Sequence, residues 1–358
     1  MIIVYILVAI LMFGILIAVH EFGHFAAAKL LGVKVNEFAI GMGPRILHRQ
    51  KGETEYTLRL FPIGGFCAME GEEEDSHDPR AFNNKPAWKR FIILAAGAFM
   101  NFLTGVLIFF FLLVGSASPI AVTDTLTTTT IDRFMTGFPL EGENGLLPGD
   151  RIVEVDGHAV YLREDIDLFF SRAGATMDLT VERDGRRVEL KDLPLQKQEY
   201  EGEGLRYGLY FAQKEATLLD KLQLTWYNAI DTVRLVWVSL GDLVSGAVGI
   251  RDMSGPVGIV TMISDVGTNA GSALLAVRGI LYFVAFIAIN LAVMNLLPIP
   301  ALDGGQILFL VVDKIYGLFT RKRIDQKYLG YINGAGFILL IGLMVVVAFS
   351  DVMKLFGK

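Results

Sequence analysis

The chain has 358 residues, 53% of them hydrophobic and 20% charged, with a formal net charge of −6 at pH 7. Its mean hydropathy of +0.49 excludes an ordinary soluble protein, and its charged fraction excludes a bundle of membrane helices alone. We therefore expect several membrane spans and at least one water-exposed domain. No block of Lys and Arg is large enough to indicate nucleic acid as a partner. The one cysteine, Cys67, excludes an internal disulfide framework and a cysteine-based structural zinc site, and we expect it to be a small buried side chain.

The first predicted element is a membrane span over about residues 2–28. Residues 1–19 form an uninterrupted apolar run, the first basic residue is Lys29, and no small-residue cleavage site follows the run. These features disfavour a cleaved signal peptide, so we expect the segment to be retained as a span.

The segment His20-Glu21-Phe22-Gly23-His24 lies inside this span and predicts a metal site. Side chains four positions apart on a helix lie about 40° apart around its axis, so both imidazoles can reach one metal ion. Glu21 projects about 100° from His20, within reach of a metal-bound water. Two His ligands and a Glu base are the zincin arrangement. A chance match is the alternative, but such polar groups are costly at membrane depth, which favours a functional site.

Two strands are predicted between the first and second spans, at residues 35–47 and 55–69, with a turn at 51–53. We interpret them as a membrane-associated β-hairpin whose edge pairs with an extended substrate. A hairpin that only caps the helices on the cytoplasmic side is an equally good interpretation. The acidic stretch that follows, residues 70–75, lacks the spacing of a calcium loop and is expected to be solvated and mobile.

A second span is predicted at residues 91–114, and residues 115–213 are predicted to hold a compact α+β domain. Within this domain, a turn, a strand and a second turn are predicted at residues 144–157. A short helix is predicted at residues 164–171, and a hairpin around Asp184-Gly185 is predicted at residues 177–190.

Residues 214–278 are predicted to contain a long amphipathic helix and a linker. Apolar residues recur every three or four positions at Leu219, Leu222, Trp226, Ile230, Val233, Trp237, Leu240 and Val244. Such a helix either lies on the outer membrane surface or packs on the preceding domain, and periodicity does not choose between the two.

Residues 279–358 complete the membrane core, whose first part is residues 1–114. The third span is predicted near 279–297, and the fourth near 334–349 is short. Basic residues precede the second span and fill the loop between the third and fourth spans, at Lys85, Lys89, Arg90, Lys314, Arg321, Lys322, Arg323 and Lys327. The positive-inside rule then places both loops in the cytoplasm, both termini and the α+β domain outside it, and His20 and His24 near the cytoplasmic side.

A catalytic zinc needs a third protein ligand, and Asp303 is the candidate. It ends the segment Asn295-Leu-Leu-Pro-Ile-Pro-Ala-Leu-Asp303. We expect this segment to lie on the same side of the membrane as the two histidines and at the same depth. Pro298 and Pro300 break the helix there, and broken backbone at membrane depth is tolerated where it is buried or lines a cavity. The alternative is an N-cap role for Asp303 on a following helix at 306–315.

The chain resembles the site-2 proteases, and specifically the bacterial branch that cleaves anti-sigma factors, the regulator-of-sigma-E type. The resemblance covers essentially the whole chain and is carried by HEFGH together with NLLPIPALDGG. Supporting matches are EFAIGMGP at 37–44, FPIGGF at 61–66, Ala96-Gly97 with Asn101, the PDZ-like GLLPGDRIVEVDG and SGPVGI at 254–259. Two departures are an alanine at position 98 in place of the family's proline and a single PDZ-like unit where some relatives carry two.

The resemblance implies a polytopic α-helical protein of the bacterial plasma (inner) membrane with about four spans and one extracytoplasmic PDZ-like α+β domain. His20, His24 and Asp303 would bind one Zn²⁺ and Glu21 would be the catalytic base. Asn295 and the hairpin, including Gly64, Gly65 and Phe66, would contact the substrate. The substrates would be single-span membrane proteins, such as anti-sigma factors and remnant signal peptides, while the PDZ ligand is not readable from the sequence.

Two other functions are compatible with parts of this pattern. One is a membrane-anchored zincin with an active site in water that removes faulty membrane proteins. The burial of HEFGH in a span argues against it. The other is a non-enzymatic PDZ scaffold, which the presence of Glu21, both histidines and Asp303 disfavours.

Overall fold

The computed structural model describes residues 2–72, 76–114, 125–249, 253–320, 324 and 326–355. Residues 73–75 of the predicted acidic stretch and Arg321, Lys322 and Arg323 of the basic loop lie outside the described residues. The chain forms two compact units. Unit 1 comprises residues 1–112 and 232–358, and unit 2 comprises residues 113–231.

Eight α-helices and ten strands are present in the described part of the chain. The helices are α1 Ile2–Leu30, α2 Ala87–Val114, α3 Arg163–Arg172, α4 Leu218–Ser245, α5 Pro256–Thr268, α6 Ala273–Asn295, α7 Asp303–Thr320 and α8 Gln326–Leu355. The strands are β1 Val35–Lys51, β2 Thr54–Met69, β3 Thr125–Phe134, β4 Arg151–Val155, β5 His158–Ala159, β6 Met177–Arg183, β7 Arg186–Leu193, β8 Gln198–Tyr200, β9 Gly204–Arg206 and β10 Leu209–Glu215.

Four helices in the described part of the chain are long and apolar enough to cross a membrane, which confirms the predicted number of spans. They are α1, α2, α6 and α8. The fourth is much longer than predicted, because α8 extends from Gln326 to Leu355 whereas the apolar segment covers only 334–349. Polar residues at both ends continue the helix, and hydropathy alone does not detect them.

The spanning helices approach closely where one of them carries glycine. A Cβ at Gly23 of α1 would lie 2.3 Å from the carbonyl oxygen of Ala96 on α2, and a Cβ at Gly105 of α2 would lie 2.5 Å from Ile289 on α6. Small residues of this kind let helix backbones pack tightly in lipid, where no hydrophobic effect drives them together. Side chains of α1, α5 and α6 form the adjoining apolar cluster of unit 1.

The two strands of the hairpin form a broader sheet because each doubles back. Residues 37–40 pair with 65–68 on one side and with 55–58 on the other, and residues 45–51 pair with 54–59. Gly41 and Gly64, with φ values of +85° and +91°, permit the reversals. Residues 65–69 consequently form an edge, because the described strand partner lies on one side of them only.

Unit 2 contains a six-stranded sheet in the order β10-β3-β4-β6-β7, with β5 paired to β4. The buried apolar side chains of these strands and of α3 form its core. Asp150 is buried at the start of β4 and accepts hydrogen bonds from Arg183 at both carboxylate oxygens, at 2.8 Å each. The guanidinium of Arg183 compensates the charge of the Asp150 carboxylate, because a buried carboxylate without a partner would be strongly destabilising.

Asp351 near the end of α8 caps α5. Its Oδ2 accepts hydrogen bonds from the backbone N–H groups of Gly255 at 2.8 Å and Gly258 at 2.9 Å, and its side chain is 2% exposed. A carboxylate at a helix N-terminus satisfies unpaired N–H groups and complements the helix dipole.

Replacing Asp351 with Ala should therefore destabilise unit 1, because two N–H groups lose their acceptor. We expect a loss of about 2–3 kcal/mol in the free energy of unfolding, measured as a lower midpoint of thermal unfolding in detergent. Asp265→Ala removes an exposed carboxylate at the other end of α5 and is the matched control. Equal midpoints for the two variants would contradict the capping role.

Candidate active site

Two histidines of α1 meet at a buried point. His20 and His24 are one helical turn apart, are 9% and 7% exposed, and have their Nε2 atoms 3.1 Å from each other. The 29-residue helix places them near its C-terminal end, as the spacing of HEFGH predicts.

Asp303 reaches the same point from a distant part of the sequence. It is the first residue of α7, and its Oδ2 lies 3.2 Å from Nε2 of His20 and 3.4 Å from Nε2 of His24. This oxygen is buried and has no hydrogen-bond partner among the described groups. The carboxylate thus faces the imidazoles.

The segment between α6 and α7 is irregular, as the two prolines predict. Ala301 adopts a φ of +73°, which is unfavourable for a residue with a Cβ. Its N–H donates to Oδ1 of Asn333 on α8 at 3.3 Å, and a Cβ at Gly336 of α8 would lie 2.5 Å from Pro300. The last helix therefore holds the strained segment that delivers Asp303.

The three side chains fit a divalent cation. Nδ1 of His24 lies 2.8 Å from the carbonyl oxygen of Ile93, which can only accept, so Nδ1 carries the proton and a neutral imidazole keeps a lone pair at Nε2. The distances of 3.1, 3.2 and 3.4 Å between ligand atoms match the edge of a tetrahedron whose metal–ligand bonds are about 2.0–2.1 Å, roughly 3.3 Å. Among the described residues this is the group of His, Cys, Asp and Glu side chains that could hold a metal ion.

Gly97 of α2 provides the room for the two imidazoles. A Cβ at this position would lie 2.3 Å from Nε2 of His24 and 2.7 Å from Cε1 of His20. The motif that contains Gly97 did not predict that this residue faces the two imidazoles. A glycine in an apolar helix carries no sign of what faces it, so only the neighbouring helix reveals the constraint.

Glu21 lies between the candidate metal-ligand cluster, formed by His20, His24 and Asp303, and the edge of the hairpin. Glu21 and Cys67 line the same cavity. A Cβ at Gly65 would lie 3.4 Å from Cγ of Glu21 and 2.9 Å from the carbonyl oxygen of Ala39. The hairpin therefore approaches Glu21 at a residue without a side chain, and the pattern of side chains in the sequence gives no sign of this approach.

A cavity of about 690 Å³ opens beside the cluster. Its walls are formed by the site residues, by the edge of the hairpin and by polar residues that follow the hairpin. The lining residues are His20, Glu21, His24, Asn36, Phe66, Cys67, Ala68, Met69, Glu70, Gly71, Glu72, Ser76, Leu94 and Asp303. Hydrogen bonds from Ser76, Asn36 and Lys34 lower the pKa of Glu70 to about 2, so this part of the wall is charged at neutral pH.

The predicted substrate-contacting residues occupy different positions. Phe66 lines the cavity and Gly65 faces Glu21. Gly64 instead faces the side chain of Met42, away from the lining residues. Asn295 ends α6 with its amide nitrogen 3.4 Å from Nδ1 and 3.5 Å from Nε2 of His20, so the structure brings it next to one imidazole. Cys67 is buried and unpaired with any other thiol, and burial raises its pKa.

The chain is similar to known proteins over nearly its whole length. The model of peptidase family M50 matches residues 8–343. A candidate zinc metalloprotease of Clostridium acetobutylicum is 36% identical over 352 residues, covering 97% of each chain. One of Fusobacterium nucleatum is 34% identical over 98% of this chain and 99% of its own. The regulator of sigma-W protease RasP of Bacillus subtilis is 28% identical over 97% of this chain and 98% of its own.

The match extends over nearly the full chain and includes both halves of the metal-ligand cluster, which are separated by almost 280 residues in sequence. Homologues of this length carry zinc-metalloprotease names, and the residues present fit zinc. The chain therefore belongs to peptidase family M50, the site-2 zinc metalloproteases.

Proposed function

We propose that this protein hydrolyses peptide bonds in or next to the transmembrane segments of single-span membrane proteins in a bacterial plasma (inner) membrane. The observation that carries the proposal is the position of His20 and His24 on α1, a helix long and apolar enough to span a membrane. A water-exposed zincin would not need such a helix. Anti-sigma factors and remnant signal peptides are the substrates we expect, in line with the name of RasP.

His20, His24 and Asp303 are the proposed ligands of one Zn²⁺ ion. Zinc bound there supplies Lewis acidity and lowers the pKa of a coordinated water. Glu21 is the proposed general base, which would take up one proton at its carboxylate and would pass it to the departing amine of the substrate.

The edge of the hairpin is the proposed substrate platform. A transmembrane helix hides its carbonyl groups in internal hydrogen bonds, so a segment must become extended before it can be cut. Residues 65–69 offer an unpaired edge next to Glu21, and residues 66–69 line the same cavity as the cluster. Main-chain pairing with this edge would compensate the hydrogen bonds lost on unwinding.

The remaining parts of the proposal concern orientation and selection. Loop charges place both termini and the PDZ-like domain outside the cytoplasm, and the active site toward the cytoplasmic side. We assign residues 115–213 as the PDZ-like domain, acting as a size filter or substrate sensor for the exterior part of the substrate.

Glu21→Gln should abolish cleavage while zinc stays bound, because glutamine keeps the shape of the side chain but cannot accept the proton. We expect a loss of about 10²–10⁴-fold in the rate, measured with purified protein and a single-span reporter. Zinc content by elemental analysis is the control. Cleavage at the wild-type rate would contradict the role of Glu21.

Asp303→Ala should weaken zinc retention by about 10–100-fold or more, because one of three protein ligands is lost. Asp313→Ala is the matched control on the same helix, since the Asp313 carboxylate accepts only from the backbone N–H of Ile324 in the described contacts. Equal zinc content after dialysis of the two variants would remove Asp303 from the ligand set.

Gly97→Ala should also reduce zinc content, although it removes no ligand, because the added methyl group would lie 2.3 Å from Nε2 of His24 and displace the imidazole. Gly342→Ala on α8, where nothing lies within 4 Å, is the control for adding a methyl group to a spanning helix. A Gly97→Ala variant with full zinc content and full activity would show that α2 does not constrain the site.

A further inference from the structure

Phe66 is the aromatic side chain by which the edge of the hairpin contributes to the wall of the active-site cavity. Cys67 and Met69 of the same edge are held by apolar packing, in a cluster with side chains of α1 and α2. Phe66 is not part of that cluster. Its ring lies against a charged group instead, with the guanidinium carbon of Arg59 4.8 Å from the ring centre. A cation at this distance is attracted to the electron-rich face of the ring.

Arg59 is held in one orientation by two hydrogen bonds. Its Nη2 donates to Oε1 of Glu37 at 2.7 Å, and its Nη1 donates to the carbonyl oxygen of Gly43 at 2.9 Å. The N–H groups of a guanidinium lie in one plane and point in fixed directions, so two separate acceptors determine that plane as well as the position. The side chain of Arg59 is 17% exposed and is not among the residues that line the cavity. The guanidinium is thus a fixed support for the ring of Phe66.

Glu37 is fixed by further polar contacts that reach across the hairpin. Its Oε1 also accepts from the hydroxyl of Thr57 at 2.6 Å, and its Oε2 accepts from Nη2 of Arg45 at 3.0 Å. Arg45 in turn donates to Oε1 of Glu55 at 3.0 Å. The charges of the two arginines and the two glutamates balance, and the contacts connect the strand segment 45–51 with the edge of the hairpin.

Stability alone is a poor explanation for this network. Removing charges from water costs free energy that an ion pair recovers only in part, and apolar side chains of similar volume often fill such a space at a lower cost. Directional hydrogen bonds instead select one arrangement of the side chains. Here that arrangement ends at Phe66, the neighbour of Gly65, and Gly65 faces Glu21.

We propose that Arg59 is a positioning residue for substrate binding. Its guanidinium holds the ring of Phe66 in the orientation in which the ring contacts an extended substrate on the edge of the hairpin. This inference rests on the proposed proteolysis, and it adds a residue that lies outside the cavity and acts through its neighbour.

Arg59→Met tests the proposal, because methionine keeps most of the length of the side chain but lacks the charge and the donors. We expect the KM for a single-span reporter to rise about 3–10-fold, while kcat stays within about twofold of the wild-type value and the zinc content is unchanged. Arg59→Lys keeps a cation near the ring and should restore part of the affinity. Arg49→Met, at an exposed arginine of the same hairpin, is the matched control and should keep the wild-type KM.

A double-mutant cycle with Phe66→Leu shows whether Arg59 acts through the ring. Phe66→Leu alone should raise the KM, and Arg59→Met should raise it no further in that background, since the ring that Arg59 supports is absent. Multiplicative effects of the two substitutions on the KM would overturn the proposal, as would a loss confined to kcat. If Arg59→Met does not fold, judged by its unfolding midpoint in detergent, Arg59→Lys takes its place in the cycle with the same criteria.

Two outcomes separate the role of Arg59 from the proposed proteolysis. A zinc-loaded wild-type protein that cleaves no single-span reporter would contradict the proteolysis and, with it, the role of Arg59. Cleavage by the wild type together with an unchanged KM in Arg59→Met would overturn the role of Arg59 alone.

Discussion

The structure depends on one constraint, the convergence of three electron-rich side chains at a point enclosed by apolar helices. Two imidazole nitrogens and a carboxylate oxygen lie within 3.1–3.4 Å of each other, although the carboxylate oxygen has no hydrogen-bond partner among the described groups. Such an arrangement is unfavourable unless a cation compensates it. One helical turn is enough to bring His20 and His24 together. The position of Asp303, in contrast, requires the broken and strained segment that α8 holds in place.

The hairpin serves the same centre through its backbone rather than through side chains. Positive φ values at Gly41 and Gly64 let the strands double back, and the reversal leaves residues 65–69 as an edge. The absent side chain at Gly65 allows the hairpin to approach Glu21 closely. The edge that would receive a substrate and the group that would move protons therefore lie side by side in one cavity.

Prediction from sequence was strongest where periodicity or spacing acts over short distances and weakest where pairing is distant. The four spans, the strands of the hairpin and the hairpin β6–β7 were all read correctly as elements. Strands β3 and β10 were missed, because TLTTTTIDRF has no apolar alternation and its paired positions lie between 75 (Leu209 and Phe134) and 90 (Glu215 and Thr125) residues away. The helix α7 was placed at 306–315, whereas it begins at Asp303 and continues to Thr320, since its first turn is specified by the preceding break.

The sequence by itself determined the chemistry of this protein. A His-Glu-x-x-His spacing places two imidazoles one helical turn apart on the same side of a helix. An apolar run of sufficient length determines that this turn lies in a membrane span. Only the tertiary structure decided that Asp303 faces the imidazoles, that Gly97 must lack a side chain and that Ile93 fixes a histidine tautomer through its carbonyl oxygen. These contacts join residues on separate helices, and a backbone carbonyl or a missing Cβ leaves no pattern in the sequence from which its partner could be read.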